Sequence, residues 1–129
     1  MNFDAIDPDV LDSNGPISDI ERACLDAEPV YPLMDTLGYR VTRWGPDRAT
    51  VQMTLSDAVT NRKGIMHGGV MGVLLDTAAG YAGCWTGIPN ETRRALTLTM
   101  TVQYVGQATT NDLICYGRKT GGGSTVYYA

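Results

Sequence analysis

The stretch Asn61–Trp85, N-R-K-G-I-M-H-G-G-V-M-G-V-L-L-D-T-A-A-G-Y-A-G-C-W, decides how the rest of the chain folds. It contains the only histidine, His67, followed by two glycines and a long apolar segment whose one charged residue is Asp76. Burying a carboxylate costs several kcal/mol unless the charge is paired. The stretch therefore predicts a buried helix that carries a functional acid.

Alternating apolar and polar residues predict β-strands on both sides of this helix. The predicted strands are Tyr39–Trp44, Ala49–Leu55, Leu96–Tyr104, Leu113–Lys119 and Ser124–Ala129, the first two joined by a hairpin connection over Gly45–Arg48. Strands that present an apolar face to one apolar helix make an α+β domain, with an antiparallel sheet wrapped around one long central helix.

Two features of the N-terminal part predict further structure. Ser18 and Glu21 have the spacing of a capping box, with Glu21 reaching back, and the helix that they start should end before Pro29. The segment Pro29–Leu37 that follows is predicted to be a connection into the first strand.

The domain organisation is simple. Residues 1–16 carry four acids and no base, which predicts a flexible acidic arm, and residues 17–129 are predicted to form a single domain. Residues Thr125–Ala129 have strand character and no polar tail, so a final strand is expected to be missing after them.

The composition excludes several classes of protein. The 129 residues are 43% hydrophobic and 19% charged with a net charge of −4, which argues against nucleic-acid binding. Three widely spaced cysteines without a C-x-x-C pair favour reduced thiols, a cytoplasmic location and no zinc site. The N-terminus lacks a signal-peptide pattern, and the apolar helix is shorter than the roughly 20 residues that span a bilayer.

The residues around the helix start suggest acyl-transfer chemistry. A helix N-terminus leaves backbone N–H groups unpaired and carries partial positive charge. With Gly68 and Gly69 there, a carbonyl oxygen can approach those groups as in an oxyanion hole. Asp76 is the nearby group able to act as a general base or nucleophile.

His67 and Asp76 are nine positions apart, which corresponds to about 2.5 helical turns and ~13 Å of rise. They also point to opposite sides of a straight helix, so one chain cannot close a site between them. A symmetric dimer brings the helix start of one subunit to Asp76 of the other. The sequence predicts a site shared across a dimer interface.

Each of these residues also has a purely structural interpretation. The structural role of His67 would be that of a loop histidine, and that of Asp76 a hydrogen bond to Thr77 or to nearby backbone. The glycines would serve close packing. Tyr81, Cys84 and Trp85 are compatible with an acyl pocket, although core filling is favoured. The loop cations Arg62, Lys63, Arg93 and Arg94 are compatible with phosphate contacts or with simple solvation.

The pattern around His67 resembles a known family. Asn61 is followed six residues later by His67-Gly68-Gly69, and Asp76 lies nine residues after the histidine. This pattern resembles that of the hotdog-fold acyl-CoA thioesterases of the phenylacetate-degradation (PaaI-like) type. The resemblance runs from about Leu37 to the C-terminus.

The resemblance implies a role for each matching residue. Asp76 activates water or attacks the thioester carbonyl, the Gly68 N–H polarises that carbonyl, and Asn61 helps to bind it. His67 positions the site, and Thr97 helps to hold the water. Gly69, Tyr81 and Trp85 are expected to contact the acyl-CoA substrate; no cofactor or metal is implied.

The family pattern also bears on assembly. The chain is expected to self-associate as a homodimer or homotetramer. In the family, a last strand normally lies beside the third strand. Without that strand, Leu96–Tyr104 is expected to lack a ladder partner within its own subunit. The alternation also places Thr97 off the apolar face of this strand, which requires a partner subunit to cover it.

The resulting prediction is an acyl-CoA thioester hydrolase. The alternatives are a non-catalytic acyl-CoA-binding module and, less favoured for lack of a second histidine, a dehydratase. The acyl group stays open between aryl and medium aliphatic chains, and the contacts to the CoA phosphates stay unassigned.

Overall fold

The computed structural model describes residues 15–108 and 110–129. Its elements, in order, are α1 (Asp19–Ala27), α2 (Pro32–Leu37), β1 (Tyr39–Gly45), β2 (Arg48–Thr54), a 3-10 turn (Asp57–Val59), α3 (Gly68–Gly83), β3 (Asp112–Arg118), β4 (Gly121–Gly122) and β5 (Tyr127–Tyr128). Most of the predicted acidic arm, residues 1–14, lies outside the described residues.

The main sheet has three antiparallel strands in the order β1-β2-β3. The predicted hairpin is confirmed: Gly45 pairs with Arg48, and Asp47 takes a positive φ of 58° in the turn between them. β1 contains a bulge, because the register shifts between Val41 and Arg43. The predicted α+β arrangement, an antiparallel sheet with one long central helix against it, is confirmed.

The helix α3 packs its small and aliphatic residues against the sheet. Leu74 and Ala78 are buried together with Val51 and Met53 of β2. Gly117 of β3 lies so close to α3 that a Cβ atom there would collide with the carbonyl oxygen of Ala78, so this contact requires glycine. In the described part of the chain, no helix is long and apolar enough to cross a membrane.

The first helix confirms one half of the predicted capping box. The Ser18 side chain accepts a hydrogen bond of 3.2 Å from the Glu21 N–H, and the helix ends at Ala27, before Pro29. The other half is wrong, because the Glu21 carboxylate is directed at β1 and not back at Ser18. It accepts bonds from the Arg43 guanidinium and the Trp44 N–H, each 2.9 Å long at the shortest contact.

The segment predicted as a plain connection contains the short helix α2. Pro32 occupies its first turn, where a missing N–H costs nothing, and Gly38 ends it with a φ of 78°. The prediction of a plain connection for Pro29–Leu37 is therefore wrong, because Pro32 and Gly38 start and end a short helix within it.

Residues 96–104 are not a strand, which corrects the prediction for Leu96–Tyr104. They follow α3 without ladder pairing, and Leu96 and Leu98 are 92% and 78% exposed. The physical reason is that no strand of the described structure lies beside them to pair their backbone groups. Thr97 bonds to Asp76 of α3 in its own chain and remains exposed, so the expected cover by a partner subunit stays a prediction.

The C-terminal prediction is right in part. β3 confirms the predicted strand Leu113–Lys119 within a residue at each end. The predicted strand Ser124–Ala129 is reduced to Tyr127–Tyr128, which pairs only with Gly121–Gly122. Tyr127 also donates its hydroxyl to the carbonyl oxygens of Ala79 and Gly80, so side-chain bonding to α3 replaces a longer ladder.

Candidate active site

His67 caps the start of α3. Its Nδ1 atom accepts a hydrogen bond of 2.9 Å from the Gly69 N–H. The backbone N–H of His67 donates to the Val59 carbonyl over 2.9 Å. Because Nδ1 is the acceptor, the proton of the neutral imidazole lies on Nε2. The ring is exposed, so this arrangement presents an Nε2–H donor outward beside the helix start.

The N–H of Gly68 is the unpaired donor of the first helical turn. The N–H groups of Val70 and Met71 donate to the His67 carbonyl, and that of Gly69 donates to the His67 ring. Within the described structure the Gly68 N–H has no acceptor. It is therefore available to a carbonyl oxygen at the positive end of the helix dipole. The Gly69 N–H is already bonded to the His67 ring, so Gly69 helps only by having no side chain that would block this approach.

Asn61 holds the loop that leads to His67. Its Oδ1 accepts hydrogen bonds from the N–H groups of Lys63 and Ile65, over 2.8 and 3.3 Å. The Asn61 N–H also donates to the Ile65 carbonyl over 2.7 Å, which closes the loop. With Oδ1 engaged, the amide NH₂ has no acceptor among the described residues and remains a side-chain donor.

Asp76 is half-buried on α3 and is oriented by Thr97. The Thr97 hydroxyl donates to Oδ1 of Asp76 over 2.5 Å. The alternative partner Thr77 donates instead to the Val73 carbonyl over 2.8 Å, as a helical threonine commonly does. Asp76 is therefore held by a residue distant in sequence and not by its neighbour on the helix.

Two tyrosines lie within electrostatic range of this acid. Burial raises the pKa of Tyr39 to about 12, and the negative charge of Asp76 acts in the same direction. Burial likewise raises the pKa of Tyr127 to about 12, with Cys84 and Asp76 adding to the effect. Both phenols therefore stay protonated at neutral pH.

Tyr104 is a site residue that the sequence reasoning missed. Its hydroxyl donates a hydrogen bond of 2.8 Å to the Gly68 carbonyl. Its ring covers Gly68, where a Cβ atom would lie 3.3 Å from Cε1 of the ring. The sequence did contain a signal for this role. Tyr104 lies seven residues after Thr97, so one segment can contact both Asp76 and the start of α3.

Tyr81 and Trp85 are placed in a different part of the molecule. Both rings pack edge-on against Trp44, with centroids 5.1 and 5.4 Å away, and the Tyr81 hydroxyl donates to Glu28 over 2.8 Å. Trp44 belongs to a core cluster with Cys24, Ala49 and Ala82. Tyr81 and Trp85 therefore pack against this core cluster, as the core-filling interpretation expects.

The cysteines are not activated nucleophiles. Burial raises the pKa of Cys115 to about 11 and also raises the pKa values of Cys24 and Cys84. The thiolate is the reactive form, and these surroundings disfavour it. Across residues 15–108 and 110–129, no group of three or more His, Cys, Asp or Glu residues is arranged to hold a metal ion.

The site therefore consists of two parts on one helix. At its start, the Gly68 N–H is unpaired within the described structure and His67 caps the first turn, with Asn61 in the preceding loop. Further along, the Asp76 carboxylate accepts the bond from Thr97. No hydrogen bond joins His67 to Asp76 in the described structure, and the extended segment from Thr97 to Tyr104 touches both parts.

Solved structures share this fold. A thioesterase family protein of Silicibacter pomeroyi is 26% identical, with a TM-score of 0.67 over 81% of this chain and 75% of that one. A conserved protein of Pseudomonas aeruginosa is 23% identical, with a TM-score of 0.65 over 73% and 74%. A thioesterase of Haemophilus influenzae is 16% identical, with a TM-score of 0.61 over 84% and 71%. The chain thus has the α+β hotdog fold of the thioesterase superfamily.

The family follows from the sequence match. Residues 26–118 match the domain of unknown function DUF4442, and the chain belongs to that family. No curated protein matches the chain.

Proposed function

We propose that this protein is an acyl-CoA thioester hydrolase of the PaaI-like type, which converts an acyl-CoA to a free acid and CoA. The observation that carries the proposal is the bond from Thr97 to Oδ1 of Asp76, because it fixes a carboxylate on an otherwise uncharged helix. A carboxylate on an otherwise uncharged helix, held by a residue distant in sequence, supports a functional role for this acid. The likeness to a thioesterase family protein supports the same chemistry.

The proposed reaction uses both parts of the site. The thioester carbonyl accepts hydrogen bonds from the Gly68 N–H and the Asn61 amide, which stabilise the developing oxyanion. Asp76 takes a proton from a water molecule while the oxygen of that water attacks the carbonyl carbon. The C–S bond then breaks, and the CoA thiolate leaves and takes up the proton. Thr97 fixes the carboxylate, and His67 orders the donor end.

The two parts are proposed to come from different subunits of a homodimer or homotetramer. Donor and acid lie at separate positions on one helix, and a second copy is needed to bring them together. The exposed apolar side chains of Leu96 and Leu98, 92% and 78% accessible, support a protein-covered surface beside Asp76. The free thiols support the expected cytoplasmic location.

The experiment that tests the proposal is thiol release from a panel of aryl and aliphatic acyl-CoA thioesters. Asp76→Asn is expected to lower turnover by about 10³-fold, within the usual range for a general base. Asp26→Asn, at an exposed acid of α1, serves as the matched control and should leave turnover unchanged. Circular dichroism and size-exclusion chromatography show whether each variant keeps fold and assembly.

Near wild-type rates in Asp76→Asn would overturn the assignment of the acid. Saturable binding of acyl-CoA by the wild type without thiol release would instead identify a non-catalytic acyl-CoA-binding module.

A further inference from the structure

A tight turn just before α3, residues 61–65, carries two cations and is called the basic turn below. Arg62 and Lys63 both have exposed side chains. Neither side chain makes a hydrogen bond or an ion pair within the described structure. Two cations that no described residue neutralises are available to an anionic ligand.

Backbone hydrogen bonds fix the basic turn relative to the candidate active site. The Asn61 N–H donates to the Ile65 carbonyl over 2.7 Å, and the Gly64 N–H donates to the Asn61 carbonyl over 2.9 Å. At the base of the turn, Thr60 and Met66 form an antiparallel bridge. None of these bonds uses the side chain of either cation, so both side chains can be exchanged without loss of the turn.

The two chain segments that meet at the start of α3 contain no acid. In the run 58–75 the two cations of the basic turn are the only charged residues, with the histidine neutral. The segment 95–108, whose Tyr104 ring covers Gly68, has no charged residue. The acid that precedes the run is Asp57, and no ion pair joins it to either cation in the described structure. This end of α3 is therefore locally positive in a chain whose net charge is −4.

The basic turn lies close to the donor that the proposed hydrolysis uses. Gly68 follows Lys63 by five positions, so their Cα atoms are at most about 17 Å apart. The two cations and the unpaired Gly68 N–H therefore lie at the same end of α3. In a CoA thioester, the pantetheine arm separates the carbonyl from the phosphates, and the extended arm is long enough to bridge this distance.

The chemistry of the basic turn fits phosphate groups. A guanidinium group binds phosphate oxygens through paired hydrogen bonds, and an ammonium group binds phosphate as a point charge. The phosphates are the anionic part that every CoA thioester shares, whatever its acyl group. An uncharged acyl chain would gain nothing from two exposed cations.

We propose that Arg62 and Lys63 bind the phosphate groups of the CoA portion of the substrate, and that they thereby select CoA thioesters over thioesters of shorter thiols. The identity of the ligand rests on the proposed thioester hydrolysis. Binding of CoA itself does not require turnover, so the site and the hydrolysis can be tested separately.

The first test is calorimetric binding of CoA, with pantetheine as the matched ligand that has no phosphate. Arg62→Gln and Lys63→Gln should each weaken CoA binding several-fold, and the double variant about tenfold or more, as expected when charge-assisted hydrogen bonds are lost. The control Arg22→Gln removes one exposed cation of α1 and should bind CoA as the wild type does. Thermal unfolding should give the same midpoint for the wild type and the variants of the basic turn, because the replaced side chains make no bond in the described structure.

Unchanged CoA affinity in the folded double variant would overturn the proposal. Equal weakening in Arg22→Gln would do the same, because the loss would then reflect net charge alone. A wild type that binds CoA no better than pantetheine also contradicts a phosphate site.

The second test compares kcat/KM for an acyl-CoA with that for the same acyl group on N-acetylcysteamine, a thiol without phosphate. The double variant should lose activity toward the CoA thioester, mainly through a higher KM, and should keep its activity toward the shorter thioester. An equal loss on both substrates contradicts a role in phosphate binding. If the wild type releases thiol from neither substrate, the proposed hydrolysis fails while CoA binding still decides the role of the basic turn.

Discussion

The Thr97 hydroxyl donates a 2.5 Å hydrogen bond to Oδ1 of Asp76, so a residue outside every helix and strand orients the one acid of α3. A threonine is well suited to this because its β-branch restricts χ1. The bond occupies one carboxylate oxygen and leaves Oδ2 without a hydrogen-bond partner in the described structure. A water molecule can therefore approach a carboxylate whose direction is already fixed.

This relationship predicts how substitutions of Thr97 affect turnover. Thr97→Val keeps the shape of the side chain and removes the donor, so kcat for acyl-CoA hydrolysis should fall about tenfold or more. Thr97→Ser keeps the hydroxyl and should retain most of the activity. Steady-state kinetics on both variants checks this. Equal rates in Val and Ser variants would show that the hydroxyl does not act through Asp76.

A second prediction concerns Tyr104 and the tautomer of His67. The Gly68 carbonyl and the Gly69 N–H are the two ends of one peptide unit, bound by Tyr104 at one end and by His67 at the other. Removing the phenol in Tyr104→Phe should loosen this unit and lower kcat several-fold with little change in stability, since the hydroxyl is exposed.

The single histidine makes the structural half of that prediction directly measurable. With ¹⁵N-labelled histidine, NMR should show one imidazole whose proton lies on Nε2 in the wild type at neutral pH. Tyr104→Phe should bring in a measurable share of the other tautomer. A wild-type imidazole with its proton on Nδ1 would contradict the cap geometry.

The sequence predicted those parts of the fold that depend on local patterns. The period-two alternation of β2, the hairpin at Pro46-Asp47 and the glycine-marked start of α3 are local, and all three are found. The role of Glu21 was not predictable in this way, because its partners Arg43 and Trp44 are 22 and 23 residues away. A capping-box motif cannot indicate that a tertiary ion pair competes for its carboxylate.

The error at residues 96–104 has a similar origin. The alternation from Leu96 to Tyr104 is real, but a strand forms only where another strand pairs its backbone groups. Side-chain bonds from Thr97 and Tyr104 to α3 hold this segment in place of a ladder. The same long-range contacts explain why Tyr104 was missed as a site residue.

A third prediction concerns the acid stability conferred by Glu21. Burial acts to raise the pKa of Glu21, but hydrogen bonds from Arg43 and from the Trp44 N–H outweigh it, and the pKa is lowered. A carboxyl with a lowered folded-state pKa stabilises the fold above its unfolded pKa of about 4.3, and this contribution is lost as pH falls through the folded value.

Glu21→Gln removes this contribution and takes away the carboxylate that binds Arg43. It should therefore lower the free energy of unfolding at pH 7 by about 3 kcal/mol, in line with one broken buried ion pair. Urea unfolding from pH 7 to pH 3 should show the difference from wild type shrinking as the pH falls. The exposed pair of Arg40 and Asp35 supplies the control, because Asp35→Asn should cost about 0.5 kcal/mol at most. A pH-independent effect of Glu21→Gln would attribute its cost to packing alone.

The last prediction separates a site within one chain from a site shared between two. Asp76→Asn lacks the acid and His67→Ala lacks the ring at the donor end, so each homodimer should be nearly inactive. In an equal mixture refolded together, half of the dimers are mixed, and each mixed dimer pairs an intact His67 with an intact Asp76 at one of its two sites. Activity should then recover to about a quarter of the wild-type value, because symmetric dimers place both sites at equivalent positions.

Each variant alone must show the wild-type elution volume for the comparison to hold. No recovery in a mixture proven to contain mixed dimers would place both residues of each working site in one chain and would contradict the shared site.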